Sequence, residues 1–202
     1  METQIHGALI DVLGVGVLLL GPSGIGKSEC ALELVQRGHR LVADDVVRVR
    51  RVRDGEGRER PVGRAPELIR HYMELRGIGL LYIPELYGDE AVRGEAQIDL
   101  LCHLEQWSEE AEYERIGLDR PSEEMAGLPV PALTLPVRPA GGSLATLVEV
   151  ACRDELQRRA GVNAARRLDE RLSGLDERCG DGDERCGDGD ERCGDGDERR
   201  GR

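Results

Sequence analysis

The chain has 202 residues, 39% hydrophobic and 34% charged, enough for one globular domain; with aromatics at 2% and no phenylalanine, its core must be aliphatic. A net charge of −12 works against nucleic acid as a partner, because neutralising phosphates takes a basic face. No apolar run reaches the roughly 18–20 residues of a membrane span, and Met1-Glu2-Thr3-Gln4 carries no basic region of a signal peptide, so the sequence reads as that of a cytoplasmic protein.

Residues 5–20 alternate weakly and then become continuously apolar, with Gly14 and Gly16 marking a turn between two strands. The second strand, about 15–20, reads as buried on both faces. Gly21 to Gly26 is a loop, and Lys27 to Gly38 a helix with Cys30, Ala31, Leu34 and Val35 on one side. Arg40 to Ala43 is a short strand running into Asp44-Asp45. Val46 to Val52 alternates apolar residues with arginine, as a half-exposed strand does, and a turn follows at Asp54-Gly55-Glu56-Gly57. A short helix is expected over Glu67 to Tyr72, a strand over Gly79 to Ile83, and part of a strand over Ala96 to Leu104. Residues 105–128 read as polar and irregular. Pro129, Pro131 and Pro136 make 130–137 an extended edge segment at best. Leu144 to Arg159 is an amphipathic helix, and Asn163 to Leu172 a second, polar one.

The segment 173–202 differs in kind. The seven-residue unit Asp176-Glu-Arg-Cys-Gly-Asp-Gly182 recurs at 183–189 and 190–196. It has no apolar seam for a coiled coil, and its glycines and charges point to disorder. Its Asp-Gly-Asp lacks the further oxygen ligands of a calcium loop. Of six cysteines, Cys30, Cys102 and Cys152 sit among apolar residues like buried thiols, and no Cys-x-x-Cys pair suggests zinc or a redox dithiol.

Chemistry concentrates in Gly21-Pro22-Ser23-Gly24-Ile25-Gly26-Lys27-Ser28, which fits the P-loop pattern G-x-x-x-x-G-K-[ST] between a buried strand and a helix. Backbone amides and the helix N-terminus would converge on the phosphates of a nucleoside triphosphate. Lys27 would reach the β- and γ-phosphates and Ser28 would ligate Mg²⁺. Asp44 and Asp45 stand at a strand end where one could hold the metal and the other accept a proton; solvated acids at a strand terminus are the alternative. A GTPase of the Asn-Lys-x-Asp type is excluded, because Asn163 is the only asparagine.

His6-Gly7, the P-loop followed by Glu29, Val42-Ala43-Asp44-Asp45 and Glu74-Leu75-Arg76-Gly77-Ile78-Gly79 together resemble the bacterial HPr kinase/phosphorylase family over about residues 5–170. That family phosphorylates a serine of the phosphocarrier protein HPr. The resemblance implies an α/β, P-loop kinase fold like that of phosphoenolpyruvate carboxykinase, a catalytic domain over 1–172, ATP and Mg²⁺, and a homo-oligomer, hexameric in the family. It implies that Asp45 is the base, and the acid in the reverse reaction. His6, Lys27 and Arg115 would be further active-site residues, and Ser28 and Glu74, with Asp44 beside them, would hold Mg²⁺. The stretch 73–82 matches the family signature, although Glu74 and Arg76 could form a plain surface ion pair. Pro136 to Gly141 matches a loop needed for removing phosphate. Two departures stand out: nothing before His6 matches the family's usual N-terminal domain, and the usual Pro-Val-Arg-Pro-Gly-Arg-Asn is here Pro136-Val137-Arg138-Pro139-Ala140-Gly141-Gly142. Losing the second arginine predicts dephosphorylation weaker than kinase activity. A P-loop kinase of a small hydroxyl compound and a non-catalytic ATP sensor are the alternatives.

Overall fold

The computed structural model describes residues 2–114, 117–138 and 141–180. Its centre is a hairpin of β2 (Ala8–Val12) and β3 (Val15–Leu20), both almost wholly buried. The two-residue turn Leu13-Gly14 has positive φ at both positions, 57° and 84°, and the Gly14 amide donates to Asp11 Oδ1 at 2.9 Å. That twist suits a tight hairpin. β2 pairs on its far side with β4 (Arg40–Ala43), and β3 runs parallel to β10 (Leu100–Gln106). β12 (Leu128–Val137) and β11 (Ser122–Met125) complete a six-stranded sheet in the order β11-β12-β10-β3-β2-β4.

The period of two explains why these strands read as unbroken apolar runs. Ala8, Ile10 and Val12 with Val15, Val17 and Leu19 face one way, into a cluster that includes Ala31 and Leu34 of α1 (Lys27–Gln36) and Val148 and Cys152 of α3 (Leu144–Arg159). Leu9, Leu18 and Leu101 face the other way, against Val47 and Val49 of a second sheet. That sheet is four-stranded, in the order β1-β5-β6-β9, from β1 (Glu2–His6), β5 (Val46–Arg53), β6 (Glu59–Arg64) and β9 (Glu95–Gln97). A sheet covered on both faces has no polar side to show, so alternation disappears from its sequence.

The chain changes sheets at two neighbouring places, and these position the site. β1 leaves the second sheet at His6 and enters the first at Ala8. The pivot is Gly7, where a Cβ would lie 2.6 Å from the Leu19 carbonyl oxygen. β4 leaves the first sheet at Ala43 and enters the second at Val46, through Asp44-Asp45. The Gly7 amide donates to the Asp45 carbonyl at 3.1 Å, tying the two crossings together.

Several elements differ from expectation. The proline-bearing segment is a ten-residue strand with a neighbour on each side, but only one at a time: 128–131 pairs with β11 and 132–137 with β10. The Ala132 amide donates to Pro121 on the β11 side. Even-numbered amides therefore face β11, and the missing donors of Pro129 and Pro131 face β10 before its ladder begins. Pro136 faces β11 after β11 has ended. No ladder bond is lost, so the usual objection to proline does not apply. The expected helix at 67–72 is a single 3-10 turn, Glu67–Ile69, and Tyr72 opens a hairpin of β7 (Tyr72–Leu75) and β8 (Gly79–Tyr82). Ile83 begins a short helix, α2 (Ile83–Tyr87). The strand expected near 96–104 is two strands in different sheets, β9 and β10. β6 and β11 have no counterpart in the sequence reading; both are charged strands lying outside the central pair.

The described chain divides into two compact units after Asn163. The second contains α4 (Ala164–Gly180), which runs past the expected end at Leu172 into the first repeat unit. No helix among the described residues is long and apolar enough to cross a membrane.

Candidate active site

β3 ends at Leu20 and the chain turns through Gly21 to Gly26 into α1. Gly24 and Gly26 have φ of 81° and 107°, values that L side chains rarely adopt, and this lets the loop turn tightly between β3 and α1, with the Ile25 amide closing on the Pro22 carbonyl at 3.3 Å. Lys27, only 7% exposed, folds back so that its ammonium donates to the Gly21 and Pro22 carbonyls at 2.9 and 3.0 Å. The ammonium is thus held at the loop by carbonyls, with no carboxylate partner among the described residues.

Ser28 donates from Oγ to Asp44 Oδ1 at 3.0 Å. Asp44 is 5% exposed, and its Oδ2 is buried with no hydrogen-bond partner meeting full geometry among the described residues. Burial pushes its carboxyl up to about 6, against the pull of the Ser28 hydroxyl and of the Asp45 and Glu74 backbone amides. A buried, unsatisfied carboxylate oxygen beside a serine hydroxyl suits a hard cation. Among the described residues no three His, Cys, Asp or Glu gather closely enough to hold a metal unaided. Phosphate oxygens would have to complete the coordination, the usual arrangement for a small divalent ion on a nucleotide.

Asp45 is the centre of a three-residue turn closed by the Val46 amide on the Asp44 carbonyl at 2.8 Å, with φ of 64°. Such a turn is rare and strained, and strain of this kind gathers at working sites. Its effect is to send the two neighbouring carboxylates different ways: Asp44 inward to Ser28, and Asp45 outward, where its Oδ1 lies 3.0 Å from His6 Nδ1. Both members of the outer pair are exposed.

β7 and its turn supply the opposite wall. Glu74 faces the same cleft as His6, Lys27, Ser28, Asp44 and Asp45. Arg76 makes no pair with Glu74; its Nη2 donates to Ser23 Oγ at 2.9 Å and its guanidinium lies over Gly24. Arg76 and Glu29, which also line the cleft, stand inside the quoted motifs, but the motifs alone assign neither a role in the site. The Arg76–Ser23 contact spans 53 positions in the chain, and no local pattern announces it. Arg115 lies outside the described residues, as do Pro139 and Ala140 of the 136–141 loop; Arg138 of that loop stacks over Trp107, 4.7 Å from the ring centre.

A larger hollow of about 480 Å³ opens beside His103, Tyr113, Glu123 and Arg120. Its lining has more acids than bases, which disfavours a polyphosphate. Cys30, Cys102 and Cys152 are buried free thiols, as expected, and burial pushes Cys30 and Cys152 up to about 12, so they are inert at neutral pH.

The chain is similar to known proteins over most of its length. An HPr kinase/phosphorylase from Caldanaerobacter subterraneus is 52% identical over 171 residues, covering 85% of this chain and 54% of its own length. That of Geobacillus kaustophilus is 50% identical over 171 residues, covering 85% and 53%. The chain therefore spans about half the length of these curated relatives. A solved structure, the Hpr(Ser) kinase/phosphatase of Coxiella burnetii, superposes with a TM-score of 0.67 at 27% identity, covering 78% of this chain and 99% of that one. Residues 1–172 match the family model described as the HPr serine kinase C-terminal domain, and the chain belongs to that family.

Proposed function

We infer that this chain transfers the γ-phosphoryl group of ATP to a serine of the phosphocarrier HPr or an HPr-like protein. The observation that carries this reading is one cleft in which an exposed His6–Asp45 pair and a buried Ser28–Asp44 pair flank the P-loop lysine. The fold would be a P-loop kinase of the phosphoenolpyruvate carboxykinase type, with 1–172 as the catalytic region and 173–202 as an appended tail. The setting would be the cytoplasm and the assembly a homo-oligomer, hexameric as the family resemblance implies.

The roles follow from position. P-loop amides and Lys27 hold the triphosphate and stabilise charge on its end. Ser28 and Asp44, with Glu74 from the facing wall, would hold Mg²⁺; that ion, when bound, neutralises charge on the β- and γ-phosphates. Asp45 takes the proton of the serine hydroxyl as its oxygen bonds to the γ-phosphorus and the bond to the β-phosphate oxygen breaks. His6 holds the Asp45 carboxylate in place through its 3.0 Å contact. In reverse, inorganic phosphate displaces the serine oxygen, and Asp45 returns the proton. Arg115 would add positive charge at the transferred group. The 136–142 segment offers one arginine where the family pattern has two, so phosphorolysis runs more slowly than phosphorylation.

Labelled ATP offered with either HPr or a panel of small hydroxyl compounds tests the reading. Label on HPr supports it, and label on a metabolite alone moves the assignment to a small-molecule kinase. Asp45→Asn separates both from an ATP sensor: a kinase keeps ATP binding and loses transfer, whereas a sensor shows no transfer in either form.

A further inference from the structure

The β7–β8 hairpin has one face in the core and one in solvent. Met73, Leu75 and Leu81 pack inward, while Tyr72, Glu74, Leu80 and Tyr82 point out. Tyr72 stands opposite Tyr82, their ring centres 4.9 Å apart, and Glu74 stands opposite Leu80. Leu80 is 69% exposed and Ile78, in the turn, 72%. Two of the four tyrosines in a chain without phenylalanine are spent on this outer face. Contiguous apolar surface of this kind on a soluble domain marks a contact site.

What distinguishes this face from other exposed apolar side chains is Glu74. It belongs to the outer face and lines the phosphate cleft, so Leu80, its cross-strand partner, stands about 5 Å from it between Cβ atoms. The apolar face is therefore continuous with the rim of the cleft. An acceptor hydroxyl on a folded protein reaches Asp45 only if the surface around that hydroxyl rests against this rim. A second copy lodged here would cover Glu74 and obstruct that approach.

We propose that Tyr72, Ile78, Leu80 and Tyr82 form the landing surface for the acceptor protein, receiving an apolar flank beside its phosphorylated serine. This rests on the protein-kinase reading above. The interaction is transient and fixes the serine within reach of Asp45; none of these four side chains lines the phosphate cleft.

The test is steady-state phosphorylation of purified HPr by wild type, Leu80→Ser, Ile78→Ser and, as a control on α3, Val150→Ser, an exposed position on another element. Buried apolar anchors dominate such contacts, so KM for HPr should rise about tenfold or more in Leu80→Ser and less in Ile78→Ser. Turnover at saturating HPr, KM for MgATP, melting temperature and assembly mass should stay at wild-type values, and Val150→Ser should match wild type throughout. An unchanged KM for HPr in both hairpin variants, or a loss confined to kcat, overturns the proposal. A change in assembly mass also overturns it by giving the face to a second copy. A wild-type chain that labels no HPr under any condition overturns the kinase reading, and the landing surface with it.

Discussion

Replacing Asp44 with asparagine removes a charge that the fold buries at a disadvantage. Raising a carboxyl from its ordinary 3.8 to about 6 corresponds to roughly 3 kcal/mol against the charged form, at about 1.4 kcal/mol per pH unit. The folded state holds the Asp44 proton more tightly than the unfolded chain does. Wild-type stability therefore falls through this one group as pH rises from about 4 to about 6, and the loss is complete above that window. Asparagine keeps an acceptor for the Ser28 hydroxyl, but its amide inherits the unpartnered position of Oδ2, which offsets about 1–2 kcal/mol of the gain. The nucleotide-free variant should be about 1–2 kcal/mol more stable than wild type at pH 7.5, with the advantage vanishing at about pH 5 and reversed by about pH 4, where wild-type Asp44 is protonated. Urea unfolding followed by fluorescence of Trp107, the only tryptophan, measures this. The stabilisation that MgATP confers on wild type should be absent in the variant. A variant no more stable than wild type at pH 7.5, or a difference independent of pH, would refute the argument that Asp44 is held charged at the expense of the fold.

Other consequences can be measured alongside. Lys27→Met should reduce ATP affinity by roughly two orders of magnitude in calorimetry while leaving the far-ultraviolet spectrum unchanged, because the lysine is held by loop carbonyls and not by a core partner. Arg76→Ala should weaken ATP binding by about three- to tenfold, since it frees Ser23 and removes a guanidinium over Gly24. Leu18→Ala, at a fully buried position between the two sheets, should cost about 3 kcal/mol in urea unfolding. Peptide mapping after iodoacetamide at pH 8 should find Cys30, Cys102 and Cys152 unlabelled in native protein and labelled in urea, because burial keeps these thiols protonated and covered.

The readable parts of the sequence were those where local pattern and tertiary role coincide. The buried β3, the glycine loop and the Cys30–Val35 face of α1 each follow from neighbours in the chain, and all are where they were expected. The separate destinations of Asp44 and Asp45 were not legible, because they depend on a left-handed turn that no glycine marks. His6 was legible only through family resemblance. Taken alone it is a histidine at the end of an exposed strand, and its meaning comes from Gly7 bringing that strand against the Asp45 turn. β12 reads as a weak edge segment because the sequence does not show which side of the strand each missing proline amide faces. β6 and β11 were missed because strands rich in charge carry little alternation of apolar residues to read.

The central claim is that Asp45, steadied by His6, draws the proton from a serine brought to a triphosphate in the P-loop. Intact-mass and fragment spectra of HPr after incubation with this chain, ATP and Mg²⁺ test it most directly, with Asp45→Asn run in parallel. The account predicts a single phosphoryl group on one serine with wild type and none with the variant, although the variant binds ATP normally. Unmodified HPr with wild type, or equal phosphorylation by both proteins, would contradict it.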